Sequence, residues 1–403
     1  MKHMRALWAL IIFTGISYPL RVDAFPGSVS VDALTNCTTV SCPGGGWSVG
    51  SRYYFEPGTY TITPSGGAAN FRNGASDWWV WAINIYVAST GECLGLQCGT
   101  LQTTPGPWYP SASDAFAACN GVSVTFTQCT GGNVYFFFGN SFCQDNIGSM
   151  TASVVQSPLS QEISLSASPV EVWPSVTSGP NTSTINIRGP AVPLALSVLP
   201  VEYSGGHQHD GTRVNHTGTL STYSCTPDAS CQCPPITYTA GEVAGFETIQ
   251  ASSSSSTASA TLTISVPGLT PLASSPSYNL TGQTIDHPDN HYGTPGMNSV
   301  LPVIAEAYSK TETLGINDMS LIFGGLFDIG PPYGAFWSPP HTLHRVGKSA
   351  DIDRCAYTGK PKQQCNGYGG YKEVHSGKLR AVAKKSGCDL LDIQLPLLHI
   401  ECP

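Results

Sequence analysis

Apolar and polar residues alternate with a period of two through the first third of the chain. In 77–85, one face takes Trp79, Trp81, Ile83 and Ile85, and further on Val122, Val124 and Phe126 alternate with Ser123 and Thr125. Successive side chains of a strand point to opposite faces, so this pattern predicts half-buried strands. The run Val134-Tyr135-Phe136-Phe137-Phe138 is continuously apolar, as a strand covered on both sides requires. Glycine-rich breaks such as Pro43-Gly44-Gly45-Gly46 and Gly131-Gly132 separate the strands. Residues 25–155 are therefore expected to form a β-sandwich.

A second alternating region spans 160–268, with Ile163 and Leu165 at one end and Leu262, Ile264 and Val266 at the other. Its segment Gly245-Phe246-Glu247-Thr248-Ile249-Gln250-Ala251 resembles a closing strand of bacterial immunoglobulin-like modules, and Ser252 to Ser256 reads as a hairpin loop. A cluster of Pro, Gly and Ser between 267 and 277 marks a boundary.

From 277 to 403 the period changes. Leu301, Ile304, Ala305 and Tyr308 fall at helical spacing, as do Leu379, Val382 and Ala383, with Gly387 placed to end the second helix. Between them, Ser320 to Ile329 reads as strand, glycine break, strand. The expected fold class is multidomain: two β-sandwiches followed by a small α+β domain.

The N-terminus changes where such a chain should work. Lys2 and Arg5 precede an apolar run from Ala6 to Ile16 that closes at Val22-Asp23-Ala24, so 1–24 reads as a secretory signal peptide. No later run reaches the roughly 18 apolar residues of a membrane span. A secreted, periplasmic or extracellular location follows. The 14 cysteines then read as disulfides. Thiolate zinc sites at Cys93/Cys98 or Cys231/Cys233 are the alternative. The first two cysteine groups hold odd numbers, which leaves room for a bridge between domains. A net charge of −8 with no basic stripe excludes nucleic acid as partner.

Ligand-type residues are densest in Pro340-His341-Thr342-Leu343-His344-Arg345-Val346-Gly347-Lys348-Ser349-Ala350-Asp351-Ile352-Asp353, and His399 follows far downstream. A catalytic zinc takes three protein ligands, often imidazole and carboxylate, and keeps a fourth position open. His344 and Asp351 can meet across a loop-to-strand passage, with His399 on a neighbouring strand. The pattern His344-x-x-Gly347-x-x-x-Asp351 with a late His resembles the D-Ala-D-Ala peptidases and penicillin-insensitive murein endopeptidases, zinc peptidases related in fold to lysostaphin-type enzymes and hedgehog proteins. The stretch Asn317-Asp318-Met319-Ser320 to Phe327-Asp328-Ile329, with Trp337 and Pro339-Pro340-His341, is similar to what precedes the His in exported relatives. The resemblance implies zinc bound by His344, Asp351 and His399, metal-assisted amide hydrolysis, and peptidoglycan peptides as substrate. Arg345 or Lys348 is a candidate for neutralising a substrate carboxylate.

This chain departs from the family at one point. The family's general base lies two or three residues before the last ligand, where Leu397 and Pro396 stand here. Glu373, His375 and Glu401 are the substitutes in reach of the pattern. An inactive carbohydrate- or surface-binding protein that keeps the fold is therefore the rival expectation. No G-x-S-x-G elbow supports serine nucleophile chemistry.

Two further sites are expected. His207, His209 and Asp210, in Gly205-Gly206-His207-Gln208-His209-Asp210, offer a possible second metal site, structural rather than catalytic. An exposed polar hairpin is the competing reading. Asp145 and Asn146, in Phe142-Cys143-Gln144-Asp145-Asn146-Ile147-Gly148, faintly resemble the last-strand loop of calcium-dependent galactose-binding bacterial lectins, which implies calcium and a cell-surface glycan. Trp78, Trp79 and Trp81 are candidates for sugar stacking, although alternation assigns some of them to the core.

Overall fold

The computed structural model describes residues 27–39, 50–72, 78–98, 108–140, 142–209, 216–308, 313–328, 336–337, 343–353, 355–356, 372–373, 376–394 and 397–403. The expected signal peptide, Cys42, Asp210, His341, Cys365, His375 and Pro396 lie outside these residues. The chain divides into two compact units, 1–158 and 159–403.

In the first unit one sheet runs in the order Ser28–Asp32, Ile147–Ser157, Gly58–Asn70, Trp79–Val80, with Val124–Gln128 also paired to Gly58–Asn70. A second sheet is built on Gly132–Gly139, flanked by Cys37–Thr38, Ser51–Phe55 and Ala82–Val87, the last of which pairs with Glu92–Gln97. Both contribute to a single core that includes Val31, Phe55, Tyr60, Trp81, Ile85, Phe136 and Met150. Alternation predicts burial of Ile83 and Ile85, and both are buried. Val134, Phe136, Phe137 and Phe138 are buried without alternation, because Gly132–Gly139 lies inside its sheet.

The second unit holds two cores. Residues 163–264 form two facing sheets, one ordered Ser164–Ser168, Thr182–Arg188, Ile236–Thr239, Thr219–Leu220, the other Glu171–Val172, Thr257–Ile264, Gly245–Ser252, Leu194–Pro200, Ser224–Cys225. Ile185, Ile187, Leu196, Tyr238, Ile249 and Leu262 fill the space between. Gly245–Ser252 and Thr257–Ile264 form a hairpin closed by Ser253 to Ser256, whose Ser253 N–H donates to the Ser256 carbonyl. Burial of Glu247 is notable: both its carboxylate oxygens accept from the Gly218 N–H, and Tyr238 donates at 2.8 Å.

The other core belongs to a sheet ordered Tyr278–Leu280, Leu314–Ile316, Ser349–Asp353, Leu397–Glu401, Asp389–Gln394, parallel in its first pair and antiparallel thereafter. Helix Pro295–Tyr308 buries Met297, Leu301, Ile304, Ala305 and Tyr308, and helix Ser376–Lys385 buries Leu379 and Ala383. These side chains pack with Ala350, Ile352, Leu398 and Ile400. The helices thus cover one face of the sheet. The alternating residues Asp351 and His399 fall on the other face.

Two expectations are corrected. Ser320 to Asp328 is no pair of strands. Gly324 and Gly325 both have positive φ, +73° and +76°, and two left-handed residues in succession turn the chain instead of extending it. The turn docks on the preceding β-sandwich, where Val266 N–H donates to Phe323 O and Leu326 N–H to Glu242 O, while Gly325 N–H donates to Arg345 O within the C-terminal module. The thiolate zinc alternative also fails, since Cys93, Cys98, Cys231 and Cys233 are all disulfide-bonded. Among the described residues bridges join Cys37 to Cys143, Cys98 to Cys119, Cys225 to Cys233 and Cys388 to Cys402, and Cys231 is disulfide-bonded although the other two cysteines of its group pair with each other. Among the described residues no helix is long and apolar enough to cross a membrane.

Candidate metal centres

Ser349–Asp353 and Leu397–Glu401 are antiparallel neighbours in a register that sets Asp351 opposite His399. His399 Nδ1 lies 2.8 Å from Asp351 Oδ1. His344 comes from the turn just before the strand, and its Nε2 lies 3.3 Å from the same oxygen. The two imidazoles meet edge to face, 5.0 Å between centroids. Exposures of 2%, 4% and 6% for His344, Asp351 and His399 show that water is largely excluded.

The turn depends on Gly347. Its φ is +68°, its N–H donates to the His344 carbonyl, and a Cβ there would meet Leu269 Cδ2 at 2.4 Å and Gly293 Cα at 3.1 Å. Thr294, which opens helix Pro295–Tyr308, donates its N–H to the Gly347 carbonyl, and Ser349 Oγ donates to Leu343 O at 2.6 Å. Asp351 is held through its backbone, accepting from Asn317 N–H and donating to the Asp318 carbonyl. The spacing H-x6-D thus encodes a tight turn followed by three strand residues.

Bond lengths of about 2.0–2.1 Å in a tetrahedral zinc site imply ligand atoms about 3.3 Å apart. The 3.3 Å separation matches that edge, the 2.8 Å separation is a hydrogen-bond length that would have to widen around an ion, and two imidazole nitrogens with one carboxylate oxygen leave one position over. His344, Asp351 and His399 form a buried group able to hold a metal. Arg345 is half-buried and Lys348 exposed, flanking the same turn.

A second buried group comprises His207, His209, His287 and Asp328. His207 and His209 lie in a loop after Leu194–Pro200, not in a strand, and are buried at 2% and 5% exposure, which removes the exposed-hairpin reading. The carboxylate at this site is Asp328, where the sequence suggested Asp210. Sequence reasoning missed His287 and Asp328 because they lie 80 and 121 residues beyond His207; the only local signal was H-x-H itself. Burial pushes His207 down to about 4, keeping it neutral and able to ligate. Burial also works against ionisation of Asp328, yet the imidazoles of His207 and His287 outweigh it and hold that carboxyl below the ordinary range.

In the first unit Asn146 is buried, with its Oδ1 accepting from Asn140 at 2.7 Å and its Nδ2 donating to Ala33 O at 3.2 Å. Its polar atoms are engaged in holding the turn. Asp145 is exposed, and no described residue joins it in a three-ligand group. Trp81 is fully buried and donates to Gly66 O, so it belongs to the core. Trp78 stacks on Trp108, with Arg72 over its ring.

No family model matches the chain, and no curated protein matches it. Among solved structures it is similar to the D0–D1 domain of intimin, with 9% identity, TM-score 0.19, 59% of this chain and 97% of that one covered. A β-glucuronidase from glycoside hydrolase family 2 follows, with 10% identity, TM-score 0.20, and 53% and 20% covered. The N-terminal domain of a Streptococcus gordonii adhesin shows 11% identity, TM-score 0.15, and 51% and 56% covered. Scores this low carry no argument. The metal reading rests on the side chains themselves.

Proposed function

We propose that this is an exported protein whose C-terminal module, residues 277–403, is a zinc-dependent peptidase-like unit acting on or binding cell-wall peptides. The observation that carries the reading is the convergence of His344 Nε2, His399 Nδ1 and Asp351 Oδ1 on the sheet face opposite the helices. Three protein ligands with one position over is the ligand count of a hydrolytic rather than a structural zinc. A zinc ion bound there supplies a Lewis acid for a carbonyl and lowers the pKa of its water. The chain's own part is to fix the ligands through the Gly347 turn and the strand register, to exclude bulk water, and to offer the Arg345 and Lys348 cations beside the turn for a peptide carboxylate.

A second reading is favoured by one position. Residue 397, two before His399 in the same strand, is leucine, and a general base contributes roughly 10²- to 10⁴-fold. On that reading the module keeps ligands and fold but binds peptides without cleaving them. Incubation of the purified protein with peptidoglycan or short D-amino-acid peptides separates the two. Chelator-sensitive release of new amines, lost in His344→Ala, supports hydrolysis; binding without release supports the second reading; neither binding nor release contradicts both.

A further inference from the structure

The atoms His207 Nδ1, His209 Nε2, His287 Nε2 and Asp328 Oδ1 face one another, and five of their six separations lie near the edge length of a tetrahedral zinc site. His207 Nδ1 is 3.3 Å from His209 Nε2, 3.2 Å from His287 Nε2 and 3.3 Å from Asp328 Oδ1. Asp328 Oδ1 is 3.5 Å from His209 Nε2 and 2.9 Å from His287 Nε2. A zinc ion with bonds of about 2.0–2.1 Å requires edges of about 3.3 Å.

Hydrogen bonds alone do not account for the arrangement. His207 Nε2 faces the Leu326 carbonyl at 3.1 Å, so in the neutral ring the proton sits there and Nδ1 carries the lone pair. That lone pair faces two other imidazole nitrogens and a carboxylate oxygen at once. Asp328 Oδ1, although 2.9 Å from an imidazole nitrogen, makes no hydrogen bond of acceptable geometry and is buried. One cation at the centre satisfies all four atoms. The outer contacts match as well: the Leu326 carbonyl orients His207, and Asp328 Oδ2 accepts from the Trp337 N–H.

We infer that His207, His209, His287 and Asp328 form a closed, four-ligand structural zinc site that fastens the immunoglobulin-like module to the C-terminal module. His207 and His209 belong to a loop of the former; His287 and Asp328 belong to the latter, whose core is separate. The backbone places the loop before any metal binds. Gly205 and Gly206 have φ of +78° and +97°, a Cβ on Gly205 would meet Ala244 O at 2.2 Å, and Gln208 N–H donates to Asp286 O at 2.7 Å. Val243, Leu326 and Trp337 form a small apolar cluster around it, and Trp337 packs on His207 and His209 at 4.8 and 4.6 Å.

The site is distinct from the three-ligand centre. Phe327 touches both, with its ring 5.4 Å from His287 and 6.2 Å from His344, and the ligand atoms fall into two separate groups. A shared two-metal site would hold its ions about 3.5–4 Å apart. The role follows from the ligand count: with four protein ligands no position remains for water, so this ion holds structure.

The test is zinc content of the full-length protein purified from a disulfide-forming compartment, with X-ray absorption on a variant lacking the first site. In His344→Ala/His399→Ala, one zinc per chain should remain, resist a mild chelator, and show three imidazoles and one carboxylate at about 2.0–2.1 Å. His207→Ala/His287→Ala should lose that ion, and Asp328→Asn, which keeps the side-chain shape, should bind it at least tenfold more weakly. Zinc unchanged in His207→Ala/His287→Ala, a zinc-free His344→Ala/His399→Ala protein with native near-UV circular dichroism, or a water-rich six-coordinate spectrum would each overturn the assignment. The proposed hydrolytic centre is read separately, by the zinc that His344→Ala removes.

Discussion

Asp351 and His399 face each other directly across two antiparallel strands, with His399 Nδ1 2.8 Å from Asp351 Oδ1 and both groups nearly closed to water. The pairing is set by strand register, which a one-residue slip would destroy by turning one of the two onto the helix-covered face.

Asp351→Asn keeps the shape of the side chain and removes the anionic ligand. Zinc affinity at the three-ligand centre should fall by more than about 100-fold, beyond what loss of an outer partner costs. Titration with a competing chelator measures it. Lys348→Ala, at an exposed position, should leave metal binding unchanged and weaken binding of peptides that carry a free carboxylate.

Gly347→Ala should damage the turn that delivers His344. The left-handed backbone alone costs about 1–3 kcal/mol, and the Cβ would stand 2.4 Å from Leu269 Cδ2. We expect a lower thermal midpoint together with loss of metal at the first centre. A stable variant with full metal content would contradict this.

Cys388–Cys402 closes a short loop around the strand that carries His399, and the Cys402 N–H donates to Lys348 O beside the turn. Replacing both cysteines with Ser should cost about 2–4 kcal/mol and loosen that strand. Hydrogen exchange of 397–402 would report it.

Glu247 is fully buried in the β-sandwich formed by residues 163–264. Glu247→Ala removes the carboxylate that accepts from the Gly218 N–H and the Tyr238 hydroxyl and should cost about 2 kcal/mol. Tyr238→Phe should cost less, because the carboxylate still accepts from Gly218. Chemical denaturation of the two single variants and the double variant should show non-additive losses.

Burial lowers the pKa of His291, whose Nε2 lies 2.9 Å from the Ile316 carbonyl. The folded pKa lies below the unfolded value, so the unfolded chain binds the proton first. Stability is then complete above about 6.5 and declines as pH falls through that value. His291→Gln should flatten this acid decline relative to the unmodified protein. Equal slopes in both proteins would contradict it.

Much of the fold and one centre were legible in the sequence because strong local periods carried them. Trp81, Ile83 and Ile85 alternate, Leu301, Ile304, Ala305 and Tyr308 recur at helical spacing, and His344 and Gly347 share a turn that leads directly into the strand carrying Asp351. The second centre was half legible. His207 and His209 stand two apart, but their partners His287 and Asp328 arrive through tertiary packing of irregular segments that leave no period, whereas Asp210 is the carboxylate adjacent in sequence. Ser320 to Asp328 misled for a related reason. Its apolar pairs read as strands, while the left-handed Gly324 and Gly325 make a docking turn.

The most direct measurement is anomalous X-ray diffraction at the zinc edge from crystals of the full-length protein. The account predicts a peak about 2.0–2.2 Å from His344 Nε2, His399 Nδ1 and Asp351 Oδ1, with space at its fourth position. Zinc-loaded crystals with no peak there, and a plain His399–Asp351 hydrogen bond in its place, would contradict it.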